Sequence, residues 1–228
     1  MAQSFNRQGT VGSYMKLRIV RHAESTGNAQ GRWQGRHDFP LTDLGREQAA
    51  KLRKRFAAEC YRPSHIYSSP LSRTFETAQI ASSAWGLPIT PVDDLMETDV
   101  GVFSGMSWEE VEQRMPEVAR EFAVTRNLDL IDGAETFVQR SDRARRVVDM
   151  VTGDHSDDDS VLVFSHGGII QHIFAQLIGA DRLWGLGVRN TAVFEFTIAV
   201  DRWRLDGHNR ANMNLRRINL FNDAAHLD

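Results

Sequence analysis

Two short apolar runs constrain this chain more than any other feature, because each ends abruptly in a histidine. Leu17-Arg18-Ile19-Val20 leads into Arg21-His22, and much later Val161-Leu162-Val163-Phe164 leads into Ser165-His166. Largely apolar runs of this length suit strands buried on both faces, as in parallel sheets covered by helices. In open α/β sheets, ligands bind just beyond the carboxyl ends of the strands. Adjacent parallel strands would therefore bring both imidazoles to one rim. The competing reading is two unrelated hydrogen-bonded histidines, each at its own strand end.

The segments between these runs fit the same layout. Thr42 is placed to cap a helix running to Phe56, with Leu44, Ala49, Leu52 and Phe56 on one face. His65-Ile66-Tyr67 reads as a strand, and a helix is expected after Ser69-Pro70, with Ser69 capping and Pro70 in the first turn. Alternating strands and helices predict an α/β protein, a three-layer α/β/α sandwich with a mainly parallel central sheet. From about residue 105 to 159 the rhythm breaks into charged helical segments, read as an insertion covering the sheet edge. It includes Ser107-Trp108-Glu109-Glu110, which has capping-box form. Phe137, Ala144, Val148 and Val151 recur at helical spacing and should pack its last helix on the sheet. Val193 to Ile198 and Arg202 to Leu205 suggest two further strands turning at Val200-Asp201. An exposed edge there would allow a homodimer.

A chain of 228 residues with 41% hydrophobic and 25% charged residues can bury one sizeable core, so a single domain over residues 15–228 is expected. Residues 1–14 read as a flexible, polar extension lacking the apolar run of a secretory signal, and Met15 stands as an alternative natural start. No later run suits a bilayer, and the net charge of -3 supplies no field for nucleic acid or an anionic membrane. The lone Cys60 makes the fold independent of an oxidising compartment, which fits a cytoplasmic location. Asp154 to Asp159 is read as a solvated acidic loop rather than a metal site.

The chemistry gathers around the two histidines. Arg21 precedes one of them, and Arg73 lies in the opening turn of a helix that faces the same rim. Two guanidiniums can chelate a phosphate bidentately, although either alone reads better as a surface ion pair. Gly167-Gly168 lets backbone approach closely at a helix start whose amides favour negative charge. Adjacent arginines repel cations, and no carboxylate or cysteine cluster completes a ligand set, so no metal or other cofactor is expected at the histidine pair.

The run Arg21-His22-Ala23-Glu24-Ser25-Thr26-Gly27-Asn28 resembles the signature of the histidine phosphatase superfamily, the phosphoglycerate-mutase-like proteins. The resemblance continues through Gln34-Gly35, Asp38, Pro40-Leu41-Thr42, Gly45, Ser68-Ser69-Pro70-Leu71, Arg73, Thr77, Glu97, Gly101, Gly105 and Ser165-His166-Gly167-Gly168. It implies His22 as nucleophile, Arg21, Arg73 and His166 as phosphoryl ligands, and Glu97 as proton donor. Asn28, Gln34, Gly35 and Gly167 would complete the substrate-binding set, while Glu24 is given a structural role. A proton donor calls for a raised pKa, which Leu95, Met96, Val102 and Phe103 would supply by desolvation; an exposed surface glutamate is the alternative.

Within that family, Glu97-Thr98-Asp99-Val100 lacks the cationic run of the mutases, and Trp33-Gln34-Gly35 resembles the broad-specificity phosphatase branch. Trp33, Phe103, Met106 and Trp108 fit either an apolar substrate pocket or core. Arg140, Arg143, Arg145 and Arg146 are read as a solvated helix face, with a carboxylate-binding role left open for one or two of them. The resemblance implies hydrolysis of small phosphorylated metabolites through phosphohistidine. A phosphoglycerate mutase and a non-catalytic phospholigand-binding regulator are the alternatives. The tail Asn222 to Leu227 resembles that of phosphatase members and is read as structural.

Overall fold

The structure, a computed structural model, describes residues 13–183, 185–203 and 215–228. In chain order its elements are β1 (Met15–Arg21), α1 (Thr26–Ala29), α2 (Asp43–Ala58), β2 (His65–Ser68), α3 (Ser72–Ser82), β3 (Ile89–Pro91), α4 (Trp108–Arg114), α5 (Pro116–Thr125), α6 (Phe137–Gly153), β4 (Ser160–Ser165), α7 (Gly167–Ile178), β5 (Val193–Ile198) and β6 (Arg216–Asp223). The six strands form one sheet in the order β3-β2-β4-β1-β5-β6. The four strands from β3 to β1 run parallel, while β5 and β6 add antiparallel pairings at one side.

Strand alternation divides the core into two layers. Leu17 and Ile19 of β1, with Val161 and Val163 of β4, face a cluster completed by Ala144, Val147 and Val151 of α6 and Ile169 and Ile173 of α7. Val20, Leu162 and Phe164 point to the other side, against Leu52 and Phe56 of α2 and Ala78 and Ala81 of α3. Helices thus cover both faces, which makes the α/β/α sandwich. Arg18 breaks the apolar run of β1 but lies under the Tyr61 ring, and it pairs with Glu195 of β5 and Glu59 at 2.6 Å each. A buried guanidinium is tolerable only with such partners.

Several sequence expectations change. Thr42 does cap α2, accepting from the Gly45 amide, but Leu44 is exposed; only Ala49, Leu52 and Phe56 are buried among the expected set. Helix α3 starts at Ser72, after Leu71, where Asp38 reaches across to accept from the Ser72 amide and hydroxyl, while Ser69 accepts from the Leu71 amide at 3.3 Å just ahead of the helix. Phe137 is exposed, although Ala144, Val148 and Val151 pack as the period predicts. The region around 105–159 is two structures, not one insertion over the sheet edge. Helix α6 belongs to the sandwich layer, whereas Val100, Phe103, Met106, Val111, Ala119, Phe122 and Ile131 make a small separate core with Trp33. The Ser107 capping box is present.

Among the described residues β5 pairs with β1 on one side and β6 on the other. Val200–Arg202 form a 3-10 turn, and Arg204 and Leu205 lie outside the described residues, as does nearly all of the N-terminal extension. The Asp154 to Asp159 turn is partly engaged rather than freely solvated: Asp159 accepts from Ser64 and Ser156, and Asp157 accepts from the Val200 amide. The tail docks as expected. Asp223 holds Arg55 at 3.0 Å, and His226 Nε2 meets the Thr191 hydroxyl at 2.9 Å.

Gly101 lets the chain that leaves Glu97 cross the Asp132–Ala134 segment. Its φ is +54°, and a Cβ there would lie 2.0 Å from the Asp132 carbonyl oxygen and 2.4 Å from the Ala134 nitrogen. Left-handed backbone with a side chain is strained by about 1–3 kcal/mol, to which this collision adds. Gly101→Ala is therefore expected to destabilise the protein by at least that amount in chemical denaturation; an unchanged midpoint would refute the crossing constraint.

Candidate active site

Register carries the site. Strands β1 and β4 pair in parallel so that Arg21 lies opposite Ser165, and the His22 amide then donates to the Ser165 carbonyl at 2.9 Å. The next residues, His22 and His166, consequently emerge side by side at the carboxyl ends, with ring centroids 5.0 Å apart. Both are buried, at 2% and 0% exposure. His22 Nδ1 lies 2.7 Å from the Ala23 carbonyl oxygen, which can only accept, so Nδ1 carries the proton and Nε2 keeps a free lone pair. His166 Nε2 lies 2.8 Å from the Ser69 hydroxyl and 3.0 Å from that of Thr74.

Two cations flank the pair. Arg73, fully buried, donates to the carbonyls of His37 at 3.0 Å and Gly35 at 2.8 Å, so its guanidinium is fixed by backbone rather than by a carboxylate. Arg21 donates to the Val188 carbonyl in the same manner. In both residues the buried Nε has no hydrogen-bond partner. Buried donors without partners are uncommon in folded proteins. Two of them in one cleft, on groups whose charge no carboxylate contact neutralises, make an anion cradle.

Glu97 lines the same cleft. Its carboxylate accepts from the amides of Thr98 at 2.8 Å, Gly168 at 3.2 Å and Ile169 at 3.2 Å, at the start of α7. The apolar neighbours expected around it are elsewhere: Leu95 and Phe103 fill separate cores, and Val102 is exposed. A Cβ at Gly168 would come within 2.5 Å of Glu97 Oε1, so a side chain there would displace the carboxylate. Gly167 lies against Arg21, where a Cβ would sit 3.5 Å from its Nε.

The remaining expected residues frame the cleft. Asn28 and Gln34 line it, with Asn28 Oδ1 accepting from the Ser25 amide at 3.2 Å and Gln34 Oε1 from the Ser25 hydroxyl at 2.7 Å, so that their side chains are held in place. Gly35, with φ +50°, contributes the carbonyl that orients Arg73. Glu24 accepts from the Thr42 hydroxyl at 2.8 Å, the structural role given to it. Trp33 reaches the cleft, whereas Phe103 and Met106 are core and Trp108 packs beside them. The cleft holds about 390 Å³ and is continued by a further hollow through Trp33, Thr98, Leu128, Gly168 and Gln171. A larger hollow of about 640 Å³ lies among Asp93, Asp94, Asp99, Glu135 and Arg146 and contains none of His22, His166 or Glu97.

The sequence missed several contributors. Arg143 and Arg140 are buried, at 4% and 5%, where a solvated face was expected; only Arg145 and Arg146 of that set are exposed. Arg143 binds Glu135 bidentately at 2.6 and 2.7 Å and donates to the carbonyls of Asp94 and Met96, clamping the segment that carries Glu97. Asn190 donates to the His22 carbonyl at 3.0 Å and to Asn28 at 3.4 Å, from a loop with no local signal. Gln171 follows Gly167 by one helical turn, a spacing that could have revealed it.

Burial, then the charges of Arg21 and Arg73, holds the His22 pKa well below the ordinary histidine value. Burial, then Arg73, His22 and Arg21, does the same for His166. Both rings are neutral at pH 7, the form a nucleophile needs. Burial also pushes His172 and His226 down to about 4. The unfolded chain takes up these protons near pH 6.5 whereas the folded one does not, so stability falls as pH drops below about 6.5. Denaturant midpoints at pH 7.5 and 5.5 are expected to show this loss, and the His22 and His166 imidazole NMR signals should not titrate between pH 8 and 6. A midstream transition near pH 6.5 would contradict the assignment.

Comparison with known proteins agrees with this geometry. Residues 17–211 match the family described as Histidine phosphatase superfamily (branch 1). Phosphoglycerate mutase-like protein 4 of Arabidopsis thaliana is 34% identical over 163 residues, 71% of this chain and 70% of that protein. The metal-independent phosphoserine phosphatase of the same plant is 32% identical over 190 residues, 82% and 78% of the two chains. The solved structure of Bacillus stearothermophilus YhfR superposes with a TM-score of 0.78 at 26% identity, covering 94% of this chain and all of that one. The chain belongs to the histidine phosphatase superfamily and is a phosphoric monoester hydrolase of its first branch.

Proposed function

We propose that the protein hydrolyses small phosphorylated metabolites in two steps through a phosphohistidine on His22. The observation that carries this reading is the pairing of a free His22 Nε2 lone pair with two buried, unpartnered guanidinium nitrogens, those of Arg21 and Arg73. In the first step Nε2 attacks phosphorus as the bond to the ester oxygen breaks, and Glu97 gives its proton to the departing alkoxide. In the second, Glu97 takes a proton from water, the water oxygen bonds to phosphorus, and the bond to Nε2 breaks, restoring neutral His22 and releasing phosphate. Arg21, Arg73 and His166 hold the oxygens on which charge accumulates, so positioning and electrostatics supply most of the acceleration.

Release to water rather than return to substrate is favoured by the cations of the cleft. Apart from Arg21 and Arg73, the cationic side chain lining it among the described residues is Arg32, which is engaged with Glu110 at 2.9 Å and the Gly105 carbonyl at 2.6 Å. A strongly anionic second group on the substrate therefore has no ready counter-charge. Relatives named as phosphoserine phosphatases make phosphoserine, whose carboxylate is offset by its own ammonium group, the first substrate to try. Among the described residues no helix is long and apolar enough to cross a membrane, and Cys60 is a free, exposed thiol, which suits work in the cytoplasm.

Hydrolysis of an aryl phosphate and of phosphoserine, followed by phosphate release, tests the proposal. His22→Ala should lose at least about 10³-fold in kcat, and Arg73→Lys, which keeps charge but loses the fork, about 10²-fold in kcat/KM. Rapid acid-free quenching with labelled substrate should trap an acid-labile phosphoryl group on the parent and none on His22→Ala. Residual turnover of His22→Ala near the parent rate would overturn the covalent route. Equal rates of phosphoryl transfer to a phosphoglycerate acceptor would favour the mutase instead.

A further inference from the structure

At the amino-terminal end of the sheet, opposite the catalytic cleft, three side chains from separate elements converge. His65 opens β2, His155 follows the end of α6, and Asp159 immediately precedes β4. One ligand-type atom from each lies within 4.8 Å of the other two. His65 Nδ1 stands 3.5 Å from Asp159 Oδ1, and His155 Nδ1 stands 3.8 Å from Asp159 Oδ2.

His155 is the informative member. Its side chain is only 2% exposed, yet Nδ1 has no hydrogen-bond partner. Its other nitrogen, Nε2, lies 3.1 Å from the Tyr67 hydroxyl. A neutral imidazole carries one proton; with that proton on Nε2 and donated to Tyr67, Nδ1 presents a bare lone pair to the Asp159 carboxylate. A histidine that binds a metal has this arrangement, one nitrogen toward the ion and the other anchored by an outer partner.

We propose that His65, His155 and Asp159 form a peripheral binding site for a divalent transition-metal ion of the zinc type, with water as the fourth ligand. Ligand atoms about 2.0–2.2 Å from a tetrahedral ion are separated from each other by roughly 3.3–3.6 Å. The two spacings to Asp159 are close to that range but reach different oxygens of the carboxylate, so a rotation of the Asp159 carboxylate and a turn of the exposed His65 ring bring the three donors onto one ion. Two imidazoles and one carboxylate suit zinc and its neighbours, whereas magnesium and calcium prefer all-oxygen shells. The ion would tie the starts of β2 and β4 to the end of α6. Phosphoryl transfer, at the other end of the same strands, would not require it.

The test uses the full chain freed of metal by chelator and dialysis, then titrated with zinc chloride by calorimetry and with cobalt(II) by visible absorption. The parent should bind one equivalent at micromolar concentration, with a tetrahedral cobalt spectrum and a raised Tm on adding zinc. His65→Ala, His155→Ala and Asp159→Asn should each weaken that binding at least tenfold and abolish the Tm increase, with phosphatase activity kept in His65→Ala. The His65 side chain is half exposed, so its variant keeps the comparison meaningful even if His155→Ala folds poorly. His22→Ala should retain the equivalent. Undiminished binding in His65→Ala, loss of binding in His22→Ala, or no zinc binding by the parent would each overturn the proposal.

Discussion

The parallel pairing of β1 with β4 is the constraint on which the site depends. A slip of one residue would turn Leu17, Ile19, Val161 and Val163 from one covered face of the sheet to the other, so the two apolar layers fix the register firmly. Because register is fixed, the residues just beyond the strands are fixed too, and His22 and His166 are held with ring centroids 5.0 Å apart without contributing to either core. The geometry of the site is thus a consequence of packing several residues away from it.

The same architecture solves an electrostatic difficulty. Two guanidiniums buried near each other would be costly without hydrogen-bond partners, and the chain engages three of their terminal nitrogens with backbone carbonyls, those of Val188, His37 and Gly35. Carbonyls accept hydrogen bonds without cancelling charge. Arg21 and Arg73 therefore remain electrostatically available to a dianion, and burial, reinforced by their charges, keeps both histidines neutral. Salt bridges are used instead around the rim: Arg143 with Glu135 and Arg32 with Glu110 hold the walls of the cleft.

Legibility differed sharply between kinds of residue. His22, His166, Arg21 and Arg73 were readable because strand endings and a helix opening place them independently of the rest of the fold. Glu97 could be named only from the family resemblance, and its surroundings were misjudged: helix amides hold it, not apolar side chains. Arg140 and Arg143 were taken for a solvated face because four arginines on one helix look alike in sequence. Two of them are buried because Glu135 and Asp129, outside the helix, turn toward them. Leu44 and Phe137 failed for the opposite reason, since each sits at the first turn of a helix, beyond the surface that the sheet covers.

By itself the sequence determined the sandwich, the adjacency of its two histidine-ending strands and the identity of the histidine and arginine set, since periodicity and strand-end position are local properties. Tertiary structure alone decided which arginines are buried, that the 100–131 region has its own small core beside the cleft, and that His65, His155 and Asp159 meet. Those outcomes depend on contacts between segments far apart in the chain, and a linear pattern carries no record of which distant partner will neutralise or desolvate a given side chain.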